Sequence, residues 1–253
     1  MRAKAKMKRS HAMTPTIDSR SAKGPSYFVG AGSRLTSQRF VQGTIFMAGG
    51  RFSRPIITAL ESLIPNYPLN DRMQPDEVET WRRALIRFRA QKDEFMGHGP
   101  ESPFLLGSQQ DFSGLRYFEP DPAFRFEARL RRRSEESGAI MTTSKGTRQL
   151  FNDVGHFDLV VGGEAVRLHA YQSAERVDPH LFIPFKDATS GKESYGASRY
   201  LDIRVEHDDN YLVDFNYAYD PYCAYNDGYV CPLPPKENWL KVAIRAGEKK
   251  YHD

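Results

Sequence analysis

Residues 147–171 read TRQLFNDVGHFDLVVGGEAVRLHAY, and this stretch decides the fold. It holds three short runs, Thr147–Asn152, His156–Val161 and Ala165–Tyr171, with Gly162-Gly163 as a turn between the last two. Side chains two apart share one face of a strand, so alternating runs bounded by turn residues mark half-buried strands. The texture continues in both directions. Phe112–Phe118, Ala123–Arg131 and Ala139–Thr143 precede it; Leu181–Phe185, Arg199–Glu206, Tyr211–Asn216 and Leu240–Ala246 follow. In Ala123–Arg131, Phe124, Phe126, Ala128 and Leu130 share one face, and Arg125, Glu127 and Arg129 the other. Ser137-Gly138, Lys145-Gly146 and Asp208-Asp209-Asn210 supply further breaks. Short strands at this spacing predict a mainly β fold, an antiparallel β-sandwich or barrel-like domain. No βαβ rhythm appears, which disfavours a doubly wound nucleotide fold.

One long amphipathic helix is expected before the strands, from about Pro75 to Met96, packed on the sheet. Pro75 suits the first helical position, and Asp76, Glu77 and Glu79 suit the positive end of the helix dipole. Val78, Trp81, Leu85, Phe88 and Phe95 form an apolar stripe, with Arg82, Arg83, Arg87 and Arg89 mainly off it. Gly97 and Gly99-Pro100 end the helix. Residues 75–251 are then a single β-rich domain with a leading helix. Residues 41–74 are poorly defined, with a short helix possible over Pro55–Ile64.

The 253 residues carry 36 Lys and Arg against 32 Asp and Glu, a net charge of +4. Residues 1–40 hold nine of the basic residues and only Asp18 as acid, so that stretch is +8 and residues 41–253 are −4. A basic body built to hold phosphates is therefore unsupported, and no nucleic acid is expected on the folded domain. The tail reads as disordered, a transit-type leader or a start placed too far upstream. No run reaches the ~20 apolar residues of a membrane helix, so no membrane partner is expected. Two cysteines, Cys223 and Cys231, are too few for a disulfide scaffold, and a reducing, cytoplasmic compartment is the default.

Chemistry concentrates in residues 182–248, where polar, aromatic and turn residues are denser than a plain sheet needs. Asp187-Ala-Thr-Ser-Gly191 is a turn whose amides either close on themselves or cradle an anion. Leu212, Asp214 and Asn216 fall on one face of a strand, Tyr211, Val213 and Phe215 on the other. Arg129 and Arg131–Arg133 make either a solvated hairpin end or an anion-binding patch. Cys223 and Cys231 are either reduced structural thiols, a disulfide, or weak candidate metal ligands with His156, His169, His180 or His207. As a nucleophile, Cys223 needs a partner that holds it as thiolate, and no histidine is near in sequence.

Several of these motifs resemble a prokaryotic family catalogued as a domain of unknown function, DUF1684. The resemblance rests on Phe185-Lys-Asp187-Ala-Thr-Ser-Gly191, Tyr195-Gly196, Arg199-Tyr-Leu-Asp202, Asp214-Phe-Asn216, Ala218-Tyr219, Cys223-Ala-Tyr225, Cys231-Pro-Leu-Pro-Pro235, Glu237-Asn238 and Ala246-Gly-Glu248. It extends back through Phe112–Phe118 to the helix around Trp81, about residues 75–251. Asp220-Pro-Tyr222 and Ser198 depart from the family pattern. The resemblance implies a soluble bacterial or archaeal protein and supplies no mechanism or cofactor.

The preferred expectation is a small-molecule-binding β-domain. Asp187, Thr189, Ser190, Tyr195, Arg199, Asp214, Asn216, Tyr219 and Glu248 would line the site, with Arg199 and the Thr189-Ser190 turn holding an anionic group. The rivals are a hydrolase using Asp214 or Glu248 as general base or Cys223 as nucleophile, and a purely structural belt of hydrogen bonds.

Overall fold

The computed structural model describes residues 73–252 apart from 105, 106, 176, 177 and 207. The expectations for the basic tail, for Pro55–Ile64 and for His207 lie outside the described residues.

The helix, α1, spans Pro75–His98. Pro75 needs no partner for a missing N–H, and the Gln74 N–H donates to the Glu77 carboxylate at 2.7 Å, closing the first turn. At the far end the Gly99 N–H donates to the Phe95 carbonyl at 2.7 Å. Trp81, Leu85, Phe88 and Met96 are buried, and Phe88 packs edge-on to Tyr217 at 4.9 Å. Two basic residues share that face. Arg89 was expected off the stripe but is buried, as is Lys92. The helical spacing of 81, 85, 88, 92 and 96 aims Lys92 into the core, where only an acid partner makes its burial tolerable.

Seven strands follow: β1 Arg125–Arg129, β2 Arg131–Thr142, β3 Arg148–Val161, β4 Glu164–Ser173, β5 His180–Phe185, β6 Arg199–Arg204 and β7 Asn210–Asp214. Strands β2 to β6 form one antiparallel sheet in chain order, and β1 pairs β7 in a two-stranded ribbon. Among the described residues the fold is mainly β, with antiparallel sheets and one α-helix. Among the described residues the five-stranded sheet is open and closes no barrel. The apolar face of β3 to β5 (Phe157, Leu159, Leu168, Ala170, Leu181, Ile183, Phe185) meets Tyr211, Val213 and Phe215 of the ribbon and its continuation. Phe157 sits edge-on to Tyr211 at 5.6 Å, and Phe185 edge-on to Phe215 at 5.4 Å. Burying these rings is the main driving force holding ribbon and sheet together.

The strands differ from the sequence expectation in four places. Thr147–Asn152 and His156–Val161 are one strand, because a bulge at Asp153/Gly155 absorbs the break in alternation. Gly155 has φ of 148°, and a Cβ there would lie 2.2 Å from the Arg131 carbonyl oxygen, so only glycine fits. The Arg131–Arg133 cluster is no hairpin end: it opens β2, and Arg132 and Arg133 are spent on Asp209 at 2.6 Å and Asp153 at 2.7 Å. Phe112–Phe118 makes only a bridge, Tyr117 to Glu248. Leu240–Ala246 is not a strand.

Candidate functional site

Asp187 and Arg199 are the centre of the motif region. Asp187 opens a turn in which its carboxylate accepts from the Thr189 N–H at 3.2 Å, the Thr189 hydroxyl at 2.8 Å and the Ser190 hydroxyl at 3.2 Å. It also accepts the Ile244 N–H at 2.7 Å. Arg199, at the start of β6, is fully buried between the rings of Phe118 and Phe185. Its terminal nitrogens donate to Asp187 at 3.2 Å and to the carbonyls of Ile244 (2.7 Å), Ala246 and Glu248 (3.2 Å). Segment 240–246 therefore forms no strand: Leu240 and Val242 make single backbone bonds to Lys186 and Ala188, and the Asp187–Arg199 pair takes the backbone groups of Ile244 and Ala246. An alternation pattern cannot register that substitution.

The turn amides are likewise used. Ser190 N–H bonds the Asp187 carbonyl, Gly191 N–H the Ser194 carbonyl, and Lys192, Glu193 and Ser194 N–H the Thr189 carbonyl. The donors of Arg199 and of the Thr189-Ser190 turn, expected to hold an anionic group, are bonded here to the protein itself.

Glu248 forms the second knot. Its carboxylate accepts from Lys92 of α1, from the Tyr225 hydroxyl at 2.7 Å and from the Asp220 N–H at 2.8 Å. Lys92 also lies over the Tyr219 ring at 4.9 Å, and the Tyr219 hydroxyl donates to Asp202 at 2.8 Å. Asp214 and Asn216 form a third, separate knot. The ribbon ends at Asp214, so Asn216 stands on the following short 3-10 turn and not on the strand face. The Asp214 carboxylate accepts from Trp81 Nε1 at 2.8 Å and from the Asn216 side-chain amide at 2.8 Å, while that amide also donates to the Asp121 carbonyl at 2.8 Å. Burial pushes the Asp214 carboxyl up, against the pull of those donors. As general bases, Asp214 and Glu248 would each have to surrender bonds made inside the protein.

Tyr195, Cys223 and Cys231 stand apart. The two cysteines are not disulfide-bonded. The Cys223 N–H donates to Cys231 Sγ at 3.4 Å, and the Tyr195 hydroxyl reaches Cys223 Sγ at 3.9 Å. The Cys231 N–H donates to the Ser144 hydroxyl at 3.1 Å, which fixes the cysteine loop to the end of β2. Hydrogen bonds from Cys231 foremost, then from Tyr195 and Ser144, lower the Cys223 pKa to about 7 against the opposing effect of burial. The Cys231 thiol is pushed up, chiefly because it donates to Cys223. Tyr195 is pushed up by burial and by the neighbouring sulfur. Tyr195 is half-buried, as are Ser190 of the Asp187 turn and Tyr225 beside Glu248.

Sequence reasoning missed Lys92, Ser144 and Asp220. Lys92 was accessible by extending the helical stripe four residues past Phe88; Ser144 carried no local signal. Both carboxyl oxygens of Asp220 are buried with no hydrogen-bond partner, and the residue is 1% exposed. Burial first, and Glu248 second, push its pKa well up, which favours the protonated form.

Two clefts are formed elsewhere. One of about 570 Å³ is bounded by Val78, Arg125, Phe126 and Asp158; one of about 210 Å³ by Arg116, Glu193, Lys249 and Lys250. None of the nine residues expected to line a ligand site borders either. Among the described residues no group of three or more His, Cys, Asp or Glu is disposed to hold a metal ion. His169 instead shares Asp153 with Arg133, its Nδ1 at 3.1 Å, and His180 faces Asp178 at 3.1 Å. Among the described residues no helix is long and apolar enough to cross a membrane.

These features define a mainly β protein in which, among the described residues, helix α1 is clamped to the C-terminal segment by the buried Lys92–Glu248 ion pair. The chain belongs to the family described as Protein of unknown function (DUF1684), whose model matches residues 110–249. The helix α1 lies before the matched segment. The chain is also similar to an uncharacterized protein of Haloarcula marismortui solved by solution NMR. Identity is 36%, the match covers 70% of this chain and 97% of that one, and the TM-score is 0.55. Comparison with curated proteins gives no match.

Proposed function

We propose that this protein acts through Cys223 as a nucleophilic thiolate, and that the motif residues around it are a structural belt. The supporting observation is the Tyr195 hydroxyl 3.9 Å from the Cys223 sulfur, with Cys231 and Ser144 close by, in the place of the histidine such a thiol usually requires. The belt reading of Asp187, Thr189, Ser190, Arg199, Asp214, Asn216, Tyr219 and Glu248 is supported by their partners, which are protein groups throughout. The small-molecule reading then takes a narrower form, in which the ligand is a substrate reaching Cys223 past Tyr195.

Iodoacetamide labelling of the full chain against pH tests this. Cys223 is expected to label with a midpoint near pH 7, against about 8.5 for an ordinary thiol. Tyr195→Phe should move the midpoint upward. Labelling with an ordinary midpoint, unchanged by Tyr195→Phe, sinks the proposal.

A further inference from the structure

The smaller of the two clefts concentrates positive charge on a protein whose residues 41–253 carry a net −4. It is bounded by Arg116, Glu193, Lys249 and Lys250 and measures about 210 Å³. Its one acid is already spent: the Arg245 guanidinium holds both Glu193 carboxylate oxygens at 3.0 to 3.1 Å. Lys249 and Lys250 enter no ion pair, and the Lys249 ammonium lies over the Phe118 ring at 5.2 Å. The segments that carry these cations are stitched together. The Lys249 N–H donates to the Arg116 carbonyl at 2.8 Å and the Lys250 N–H to the Glu193 carbonyl at 3.1 Å. The Arg116 guanidinium donates to the Tyr251 carbonyl at 2.7 Å. One residue before Lys249, Glu248 is tied to Lys92 through its side chain and to Arg199 through its carbonyl. Backbone fixed in this way has little freedom left to lose when a ligand binds.

We propose that this cleft binds a single phosphate group, either inorganic phosphate or the phosphate of a small ester. The charge argues for a dianion, because the lining cations outnumber the acid and that acid is neutralised by Arg245. The arrangement argues for a tetrahedral oxyanion. Arg116 comes from one segment and Lys249 and Lys250 from another, and phosphate offers three or four oxygens in different directions where a carboxylate offers two in one plane. The size argues for a small ligand. Sites that enclose drug-sized molecules measure roughly 300–1,000 Å³, so this cleft takes the phosphate and a few further atoms and excludes a nucleotide. Arg116 supplies a planar donor, and the two lysines supply point charges. Arg199, expected from sequence to hold the anion, acts here as a positioning residue through the Glu248 carbonyl. The site shares no residue with the Tyr195, Cys223 and Cys231 cluster, so it stands independently of the thiolate reading.

Isothermal titration calorimetry of the full chain, at neutral pH and low salt, tests this with inorganic phosphate, glycerol phosphate and the dicarboxylate succinate. Phosphate or its ester should saturate a single site with a Kd of about 0.1–1 mM, and succinate should bind at least about tenfold more weakly. The tighter of the two phosphate ligands tells whether the group is bound free or esterified. Lys249→Ala and Lys250→Ala should each weaken phosphate binding by about three- to tenfold, while Lys250→Arg, which keeps the charge, should retain most of it. Lys145→Ala removes the same charge from the exposed turn between β2 and β3 and should leave the Kd unchanged. Near-ultraviolet circular dichroism confirms that each variant is folded. The inference is overturned if neither phosphate ligand saturates below about 10 mM. It is equally overturned if succinate binds as tightly, if Lys145→Ala costs as much as the cleft variants, or if the cleft variants cost nothing.

Discussion

Arg199 shows how a single side chain can replace a strand. Its two terminal nitrogens serve three carbonyls of residues 244–248 and one carboxylate, all in the interior. Lysine carries the charge but not the planar fork, so Arg199→Lys strands carbonyls that cost about 1–3 kcal/mol each when buried unpaired. The expected outcome is a loss of roughly 2–4 kcal/mol in urea unfolding. Amide hydrogen exchange should rise selectively over 240–250, where the carbonyls lose their anchor. Uniform exchange across the sheet would mean the anchor is not local. Asp220 offers the opposite case, a carboxyl with nothing to bond. In the unfolded chain it ionises near pH 4. In the native chain, burial holds the proton on to much higher pH. Over that window the native state binds more protons, so stability falls as pH rises. Asp220→Asn removes this penalty. Its melting temperature relative to wild type should climb as pH is raised from 4 to 8, and a difference independent of pH would refute the assignment.

At the scale of elements, α1 and the C-terminal segment hold each other through Lys92 and Glu248. Both are almost fully buried. A buried pair contributes little over an apolar replacement, but losing one member leaves a bare charge. Lys92→Met and Glu248→Gln should therefore cost different amounts: about 3–5 kcal/mol for the first, which leaves a carboxylate, and less for the second, which keeps acceptors for Tyr225 and the Asp220 amide. The double variant should be less destabilised than the sum of the two, read by chemical denaturation. Additive costs would show that the pair is not coupled. The same elements explain which strands were legible. Runs that pair with a neighbouring strand, such as Ala165–Tyr171 in β4, kept their alternation. Leu240–Ala246 alternates too, but its partners are the Asp187 and Arg199 side chains and single backbone contacts.

For the molecule as a whole, the apolar core and the polar belt divide the work. Phe157, Leu168, Ile183, Val213 and Phe215 supply the area whose burial drives folding. Three polar knots then fix how the helix, the ribbon and the C-terminal segment sit on that core. The Trp81–Asp214, Lys92–Glu248 and Arg199–Ile244 contacts span 133, 156 and 45 residues of chain.

The local sequence determined what is periodic. Alternation marked the strands, the three-and-four spacing marked α1, and the density of polar and aromatic motifs marked residues 182–248 as unusual. Tertiary structure decided what each polar motif residue does. Whether Arg199 greets a ligand or a carbonyl, and whether Lys92 faces water or Glu248, depends on groups far away along the chain. Periodicity is a property of neighbours in sequence; the partner of a buried charge or hydrogen-bond donor is a property of neighbours in space.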